Sequence, residues 1–334
     1  MRIRFDRNIV RTALTCIVLL ASGPSLLADD PPQYSPWSAP VNVGPPVNSS
    51  DGEAEAFLSK DGRSLFFAAR PRGYAPPRPG ARGGWDIYVS HRATVNDPWG
   101  EPQNLGPTIN TEADEQTPTL SLDGHLLFFA RSGPNGFGSF DLYVSRRTNK
   151  RYVSRRTNKR DDVEWRTPVN LGSVVNSPGI DWGPAIFEDD KTGTFTLYFS
   201  SDRDSPGVEH IYASTLQKDE TFGPPVPVEE LNSLRRDVRP AIHKDGLQMF
   251  LDSDRPGTFG LVDLYVSTRA RTTEPWSPPV NLGLDINSGL VDARAVLSFD
   301  GTELYFHSNR DGGYGGNDLY RSTRTKLKGK KDRD

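Results

Sequence analysis

Five carboxylates recur at one position of a repeating pattern. Asn48, Asn110, Asn176, Asn232 and Asn287 are each followed five residues later by an acid: Glu53, Glu115, Asp181, Asp237 and Asp292. Set at the starts of equivalent strands, these acids form an anionic ring, the donor chemistry of a site for a hard cation or a polar ligand. Like charges at that spacing repel unless compensated. An arginine also recurs in each copy (Arg131, Arg203, Arg255, Arg310, with Arg70 or Arg72 in the first). The ring is therefore expected to be structural, each acid paired with an arginine, rather than a metal centre.

Residues that break the repetition are better candidates for use, because symmetric features maintain a repeat. Glu55, Arg239 and Arg294 occupy one repeat position yet differ in chemistry, and Trp182, beside Asp181, has no aromatic counterpart in the other copies. The Gly-rich loops carry Tyr74, Phe137, Phe259 and Tyr314, whose faces stack on sugars or anchor a peptide. These eight residues are expected to contact a ligand or partner at a channel mouth. The sequence has no Gly-x-Ser-x-Gly elbow and no His-Glu-x-x-His pair. Its histidines (His91, His125, His210, His243, His307) have no partner four residues away and read as packing residues. No catalytic residue, metal or cofactor is expected.

The elements that must position these residues follow from the repeat itself. Trp37-Ser-Ala-Pro-Val-Asn-Val-Gly44 recurs at Trp99 to Gly106, Trp165 to Gly172, Phe222 to Val228 in degenerate form, and Trp276 to Gly283. Each copy continues with a short apolar strand, a turn such as Leu120-Ser-Leu-Asp-Gly124, a second strand, a Gly-rich loop and a third strand bearing Ile-Tyr or Leu-Tyr. Asp-Gly between two apolar runs is a strong hairpin signal, and a repeat of this length built from alternating strands indicates propeller blades. The Trp-x-x-Pro segment supplies the fourth strand, at an outer edge where proline is tolerated. The chain opens with a fourth-type strand and closes with a third-type strand near Tyr320. A five-bladed all-β propeller of four-stranded antiparallel blades is expected, closed by pairing of the N-terminal strand with residues 318–322; six blades is the alternative. One oddity is a nine-residue tandem copy, Tyr143 to Arg151 followed by Tyr152 to Arg160, which reads as a lengthened surface loop.

The strand, Ser-x-Asp-Gly turn, Leu-Tyr-Phe strand, Ser-Asn-Arg-Asp-Gly-Gly loop and Asp-Leu-Tyr strand together resemble the TolB-type, WD-repeat-like PD-forty propeller unit. The resemblance spans nearly all of the chain after the leader and implies the fold far more than any one activity.

The first 28 residues read as an address. Arg2, Arg4, Arg7 and Arg11 precede an uncharged stretch, Thr12 to Ala28, and Ser22-Gly-Pro-Ser25 interrupts its apolar run short of the roughly 20 residues a membrane span needs. The expected organisation is a signal peptide over 1–28, a propeller over 29–325 and a basic tail over 326–334. No transmembrane segment remains after cleavage, and the product is exported, periplasmic or extracellular. Cleavage would remove the sole cysteine, Cys16, so disulfides are not expected to hold the fold. In the whole chain 40 Lys and Arg face 43 Asp and Glu, which supplies no basic footprint for nucleic acid.

The functional expectation is a secreted, non-catalytic propeller that binds a protein or glycan partner in the bacterial envelope through its channel-mouth face. The alternative is a carbohydrate-active enzyme on the same fold. Glycoside hydrolysis needs carboxylates with distinct pKa values, whereas acids made equivalent by repetition are not differentiated.

Overall fold

The computed structural model describes residues 34–71, 77–148 and 164–327. The leader, Tyr74, the duplicated segment from residue 149 and the tail beyond residue 327 lie outside the described residues. The described chain is all-β, built from five four-stranded antiparallel sheets. Strand β1 (Val41–Asn42) precedes the first complete blade, formed by β2 (Gly52–Leu58), β3 (Ser64–Arg70), β4 (Asp86–His91) and β5 (Gln103–Asn104). Blade 2 comprises β6 (Glu115–Leu120), β7 (Leu126–Ser132), β8 (Phe140–Arg146) and β9 (Val169–Asn170). Blade 3 comprises β10 (Asp181–Asp189), β11 (Thr194–Ser201), β12 (His210–Thr215) and β13 (Val226–Pro227). Blade 4 comprises β14 (Asp237–Ile242), β15 (Gln248–Ser253), β16 (Asp263–Thr268) and β17 (Val280–Asn281). Blade 5 comprises β18 (Asp292–Leu297), β19 (Glu303–Ser308), β20 (Asp318–Thr323) and the returning β1.

Closure follows the expected scheme. Val41 pairs with Arg321 and Asn42 with Tyr320, so the last blade borrows its outer strand from the start of the chain and no inner ladder is left open. The borrowed strand is short because the proline of each Trp-x-x-Pro segment cannot donate to a ladder; only the two residues after it pair.

Because strand side chains alternate and each blade is covered on both faces, both sides of the blades are apolar. Five apolar clusters fill the five seams between neighbouring blades. Phe67, Tyr88 and Leu65 of blade 1 meet Tyr305, Val296 and Leu319 of blade 5, for example, and Phe66 and Ile87 meet Phe129, Leu127 and Ile109. Truncating a fully buried phenylalanine at such a seam costs about 3–5 kcal/mol.

Two polar devices recur and explain the repeat residues. The amide of each repeat asparagine bonds both the N–H and the C=O of a third-strand residue: Asn48 on Leu319, Asn110 on Ile87, Asn176 on Leu142, Asn232 on Ile211 and Asn287 on Leu264. These contacts fasten the loop leading into each inner strand to the blade before it. The repeat tryptophans are covered by arginines after the third strand, Arg92 on Trp99, Arg147 on Trp165, Arg269 on Trp276 and Arg324 on Trp37, at 4.2–4.4 Å. Such cation–π contacts hold the outer strand without a long ladder.

Candidate functional site

Each inner strand carries one extra residue relative to its neighbour, with the register shifting between Ala54 and Phe57, Gln116 and Thr119, Trp182 and Ala185, Val238 and Ala241, and Ala293 and Val296. The first residue in each shift has positive φ: Glu55 (+60°), Thr117 (+54°), Gly183 (+64°), Arg239 (+52°) and Arg294 (+53°). Four of these are not glycine, and a β-branched threonine there is a backbone outlier. A bulge of this kind re-aims a side chain. Here five bulges at equal height turn one residue per blade into a shared layer across the channel.

The layer is held from the second strands. The residue paired just before each bulge is Ala68, Ala130, Ser200, Asp252 or His307. Three of these accept the bulge N–H of the next blade: Ser200 Oγ from Arg239 at 2.7 Å, Asp252 Oδ1 from Arg294 at 2.7 Å, and His307 Nδ1 from Glu55 at 3.3 Å.

At the centre one guanidinium joins two carboxylates. Arg239 donates from Nη1 to Glu55 Oε1 at 2.9 Å and from Nε to Asp252 Oδ2. All three side chains are buried, Asp252 completely. The surroundings displace the two acids in opposite directions. Burial raises the Asp252 carboxyl to about 6, with Arg239 opposing and Glu55 adding to the rise. For Glu55, burial also works upward, but the neighbouring positive charges, Arg239 foremost, outweigh it and hold the carboxyl below its ordinary value. His307 is pushed down to about 4, first by burial, so its Nδ1 stays unprotonated and able to accept from Glu55. Glu55 Oε2 has no hydrogen-bond partner. Among the described residues no group of three metal-ligating side chains is gathered in one place.

Glu55, Arg239 and Arg294 thus meet in the structure, but buried in the channel rather than displayed at its mouth. The bulges turn them inward. Trp182 is half-buried and packs against Phe140. Arg239 lies 5.1 Å and Arg236 5.5 Å from its ring centroid, so two guanidiniums already occupy the ring. Arg236, itself partly exposed, makes a two-pronged bond to Glu209 at 2.6 and 2.8 Å. This stack leads from the Arg239 layer towards the face where the inner strands begin. Phe137, Phe259 and Tyr314 stand about half exposed on the Gly-rich loops of that face.

The ring acids are all buried and ion-paired within their own blade: Glu115 with Arg131, Asp181 with Arg203, Asp237 with Arg255 and Asp292 with Arg310. In blade 1 Glu53 pairs with Arg78, at 2.7 Å; Arg70 ends β3 exposed, and Arg72 lies outside the described residues. Each acid also accepts a backbone N–H four residues back, from Ser49, Thr111, Ser177, Ser233 or Ser288. Burial raises Glu53 and Glu115 above the usual range despite these partners. The acids brace the loops that feed the inner strands.

A cavity of about 90 Å³ opens at the opposite end of the channel, among the Ser-x-Asp-Gly turns, where the sequence reading placed no site. Its wall includes Phe57, Ile186, Leu297, Phe299, Thr119 and Arg294.

Sequence reading missed Asp252, His307 and Thr119. Asp252 and His307 stand at a second-strand position where the other copies hold Ala68, Ala130 and Ser200. The same rule that singled out Glu55, applied one strand further, finds them.

No family description and no curated protein matches the sequence. The fold, however, is similar to solved structures. An α-L-arabinofuranosidase from Lactobacillus brevis superposes with a TM-score of 0.55 at 16% identity, covering 85% of this chain and 93% of that one. A thermostable family-43 glycoside hydrolase gives 0.54 at 14% identity over 85% and 93%. An α-L-arabinofuranosidase from Podospora anserina in complex with cellotriose gives 0.51 at 12% identity over 88% and 97%.

These similarities overturn the expectation of a non-catalytic binding propeller. That expectation rested on the equivalence of the ring acids. Several of the propellers whose fold this chain resembles are glycoside hydrolases, and its channel holds two carboxylates that are not equivalent.

Proposed function

We propose that the protein is a glycoside hydrolase-like enzyme whose acid and base are Asp252 and Glu55. The observation that carries this reading is the pair itself: two buried carboxylates from different blades, sharing Arg239, displaced in opposite directions by their surroundings. Hydrolysis of a glycosidic bond divides its work between a carboxylic acid that protonates the leaving oxygen and a carboxylate that acts as nucleophile or activates water. Asp252, protonated at mildly acidic pH, supplies the first, and ionised Glu55, with Oε2 free of partners, the second. Arg239 orients both and keeps Glu55 charged. Trp182 and Arg236 mark the approach from the face where the inner strands start.

The substrate class follows by analogy of fold, which supports a pentoside: an α-L-arabinofuranoside or a β-D-xyloside. The repeats we assign to the TolB-type PD-forty unit on their recurring Ser-x-Asp-Gly and Leu-Tyr segments, and export on the arginine-rich leader. The test is release of nitrophenol from the two nitrophenyl pentosides by the purified protein. Asp252→Asn and Glu55→Gln are each expected to lower the rate by about 10²- to 10⁴-fold with melting retained. No hydrolysis by the wild type, or full rates in both variants, overturns the proposal.

A further inference from the structure

The cavity on the turn face is a second site, remote from the face that Trp182 and Arg236 mark. The most buried charged residue of its lining is Arg294, which is 2% exposed. The guanidinium donates from Nη2 to Thr119 Oγ1 at 3.0 Å and to the Pro184 carbonyl at 3.2 Å, both neutral acceptors. Its Nε and Nη1 have no hydrogen-bond partner. The nearby carboxylates bond other groups, Asp252 taking the Arg294 backbone N–H and the Arg239 side chain and Glu55 Oε1 taking Arg239; both act on the Arg294 guanidinium through space without a hydrogen bond to it. A buried guanidinium with uncommitted N–H groups is costly unless a charge meets it.

The rest of the cavity fits an anion with an apolar body. Phe57, Ile186, Leu297 and Phe299 form its walls. At the rim Lys244 Nζ stands 3.6 Å and Lys60 Nζ 4.9 Å from the Phe299 ring centroid, so two exposed ammonium groups flank one aromatic ring of the cavity lining. The acids nearby are already held. Asp245 lies 2.9 Å from His243 Nδ1, and Glu188 accepts the Leu122 N–H at 2.6 Å. A water-sized group needs about 10–15 Å³, so the space admits a ligand of roughly six to nine non-hydrogen atoms.

We propose that this cavity binds a small organic carboxylate with an apolar carrier, its carboxylate on Arg294, its body against Phe57 and Phe299, and its approach guided by Lys60 and Lys244. The site does not depend on the hydrolase reading, since it uses the other end of the channel.

Calorimetric titration with benzoate tests it. Benzoate is expected to bind saturably with a Kd below about 1 mM, and benzamide, the neutral isostere, at least tenfold more weakly to the unaltered protein. Arg294→Gln should weaken benzoate binding at least tenfold. If that variant does not fold, the rim double variant Lys60→Gln/Lys244→Gln, altered only at exposed side chains, is expected to weaken it two- to fivefold. Equal binding of benzamide and benzoate, no saturable binding, or benzoate affinity unmoved by the rim variant overturns the carboxylate site. Glucuronate binding as tightly as benzoate overturns the apolar carrier.

Discussion

Replacing Arg239 with asparagine removes the guanidinium that bonds both channel carboxylates. Position 239 has φ of +52°, which asparagine tolerates better than most residues, so the backbone cost of the change is small. What remains is Glu55 and Asp252, both buried and without their guanidinium. Breaking a buried ion pair costs about 3–5 kcal/mol because a charge is left uncompensated, and loss of the contact with Trp182 adds about 1 kcal/mol. A deficit of about 4–6 kcal/mol at pH 7 is therefore expected, a large part of the 5–15 kcal/mol typical of a folded domain. The sign with pH is opposite to ordinary acid denaturation. Without Arg239 both acids are pushed upward, so each binds protons more readily folded than unfolded, and the deficit shrinks as pH falls from 7 to 5. Urea unfolding of both proteins at the two pH values reads this directly. Adding Glu55→Gln and Asp252→Asn to the variant should recover most of the loss at pH 7. A deficit below about 1 kcal/mol, or one that does not shrink at pH 5, refutes the shared-guanidinium account.

Three further outcomes follow from the same structure. His307 is held neutral with its pKa down to about 4 against an ordinary 6.5, so below pH 6.5 the unfolded chain gains a proton the native state refuses. By itself this group lowers stability by up to about 3 kcal/mol between pH 6.5 and 4, against the opposite contribution of Asp252, raised to about 6, so the stability of His307→Asn relative to the wild type should rise by about that amount over this range in urea titrations. Asn287→Ala deprives the Leu264 N–H and C=O of their partner; at about 1–3 kcal/mol for each buried unsatisfied group, a loss of about 2–6 kcal/mol is expected in the same assay. A chain starting at Val47, lacking the strand that pairs with β20, should elute as aggregates in size-exclusion chromatography; a monodisperse, cooperatively melting product would show that closure is dispensable.

The blades were legible because each of their signals is repeated and local. Asp-Gly turns, Leu-Tyr strands and Trp-x-x-Pro segments each report on a few neighbouring residues, and five copies cancel the ambiguity of any one. The mutual dependence of first and last strands followed from counting strand types at the two ends. The channel was half legible. Glu55, Arg239 and Arg294 were visible as departures from the repeat, but their burial was not, since it results from a bulge whose extra residue has no sequence mark: Glu, Thr, Gly, Arg and Arg all occupy it. Asp252 stayed hidden because, although Arg239 lies on its own blade, Arg294 and Glu55 lie on others, and only the closed ring brings Glu55, at the start of the chain, onto an arginine 184 residues away. The pairing of Glu53 with Arg78 was misplaced for a related reason: in the first copy the arginine comes from the Gly-rich loop rather than from the strand end.

The central claim is that Asp252 donates the proton and Glu55 works ionised. The pH dependence of kcat/KM on a nitrophenyl pentoside tests it most directly, because the two limbs report the essential base and acid of the free enzyme. The account predicts a bell whose alkaline limb falls near pH 6, where Asp252 loses its proton, whose acid limb lies below the ordinary carboxylate range set by Glu55, and which collapses in Asp252→Asn. A rate that keeps rising beyond pH 8, or a profile unchanged in Asp252→Asn, would contradict it.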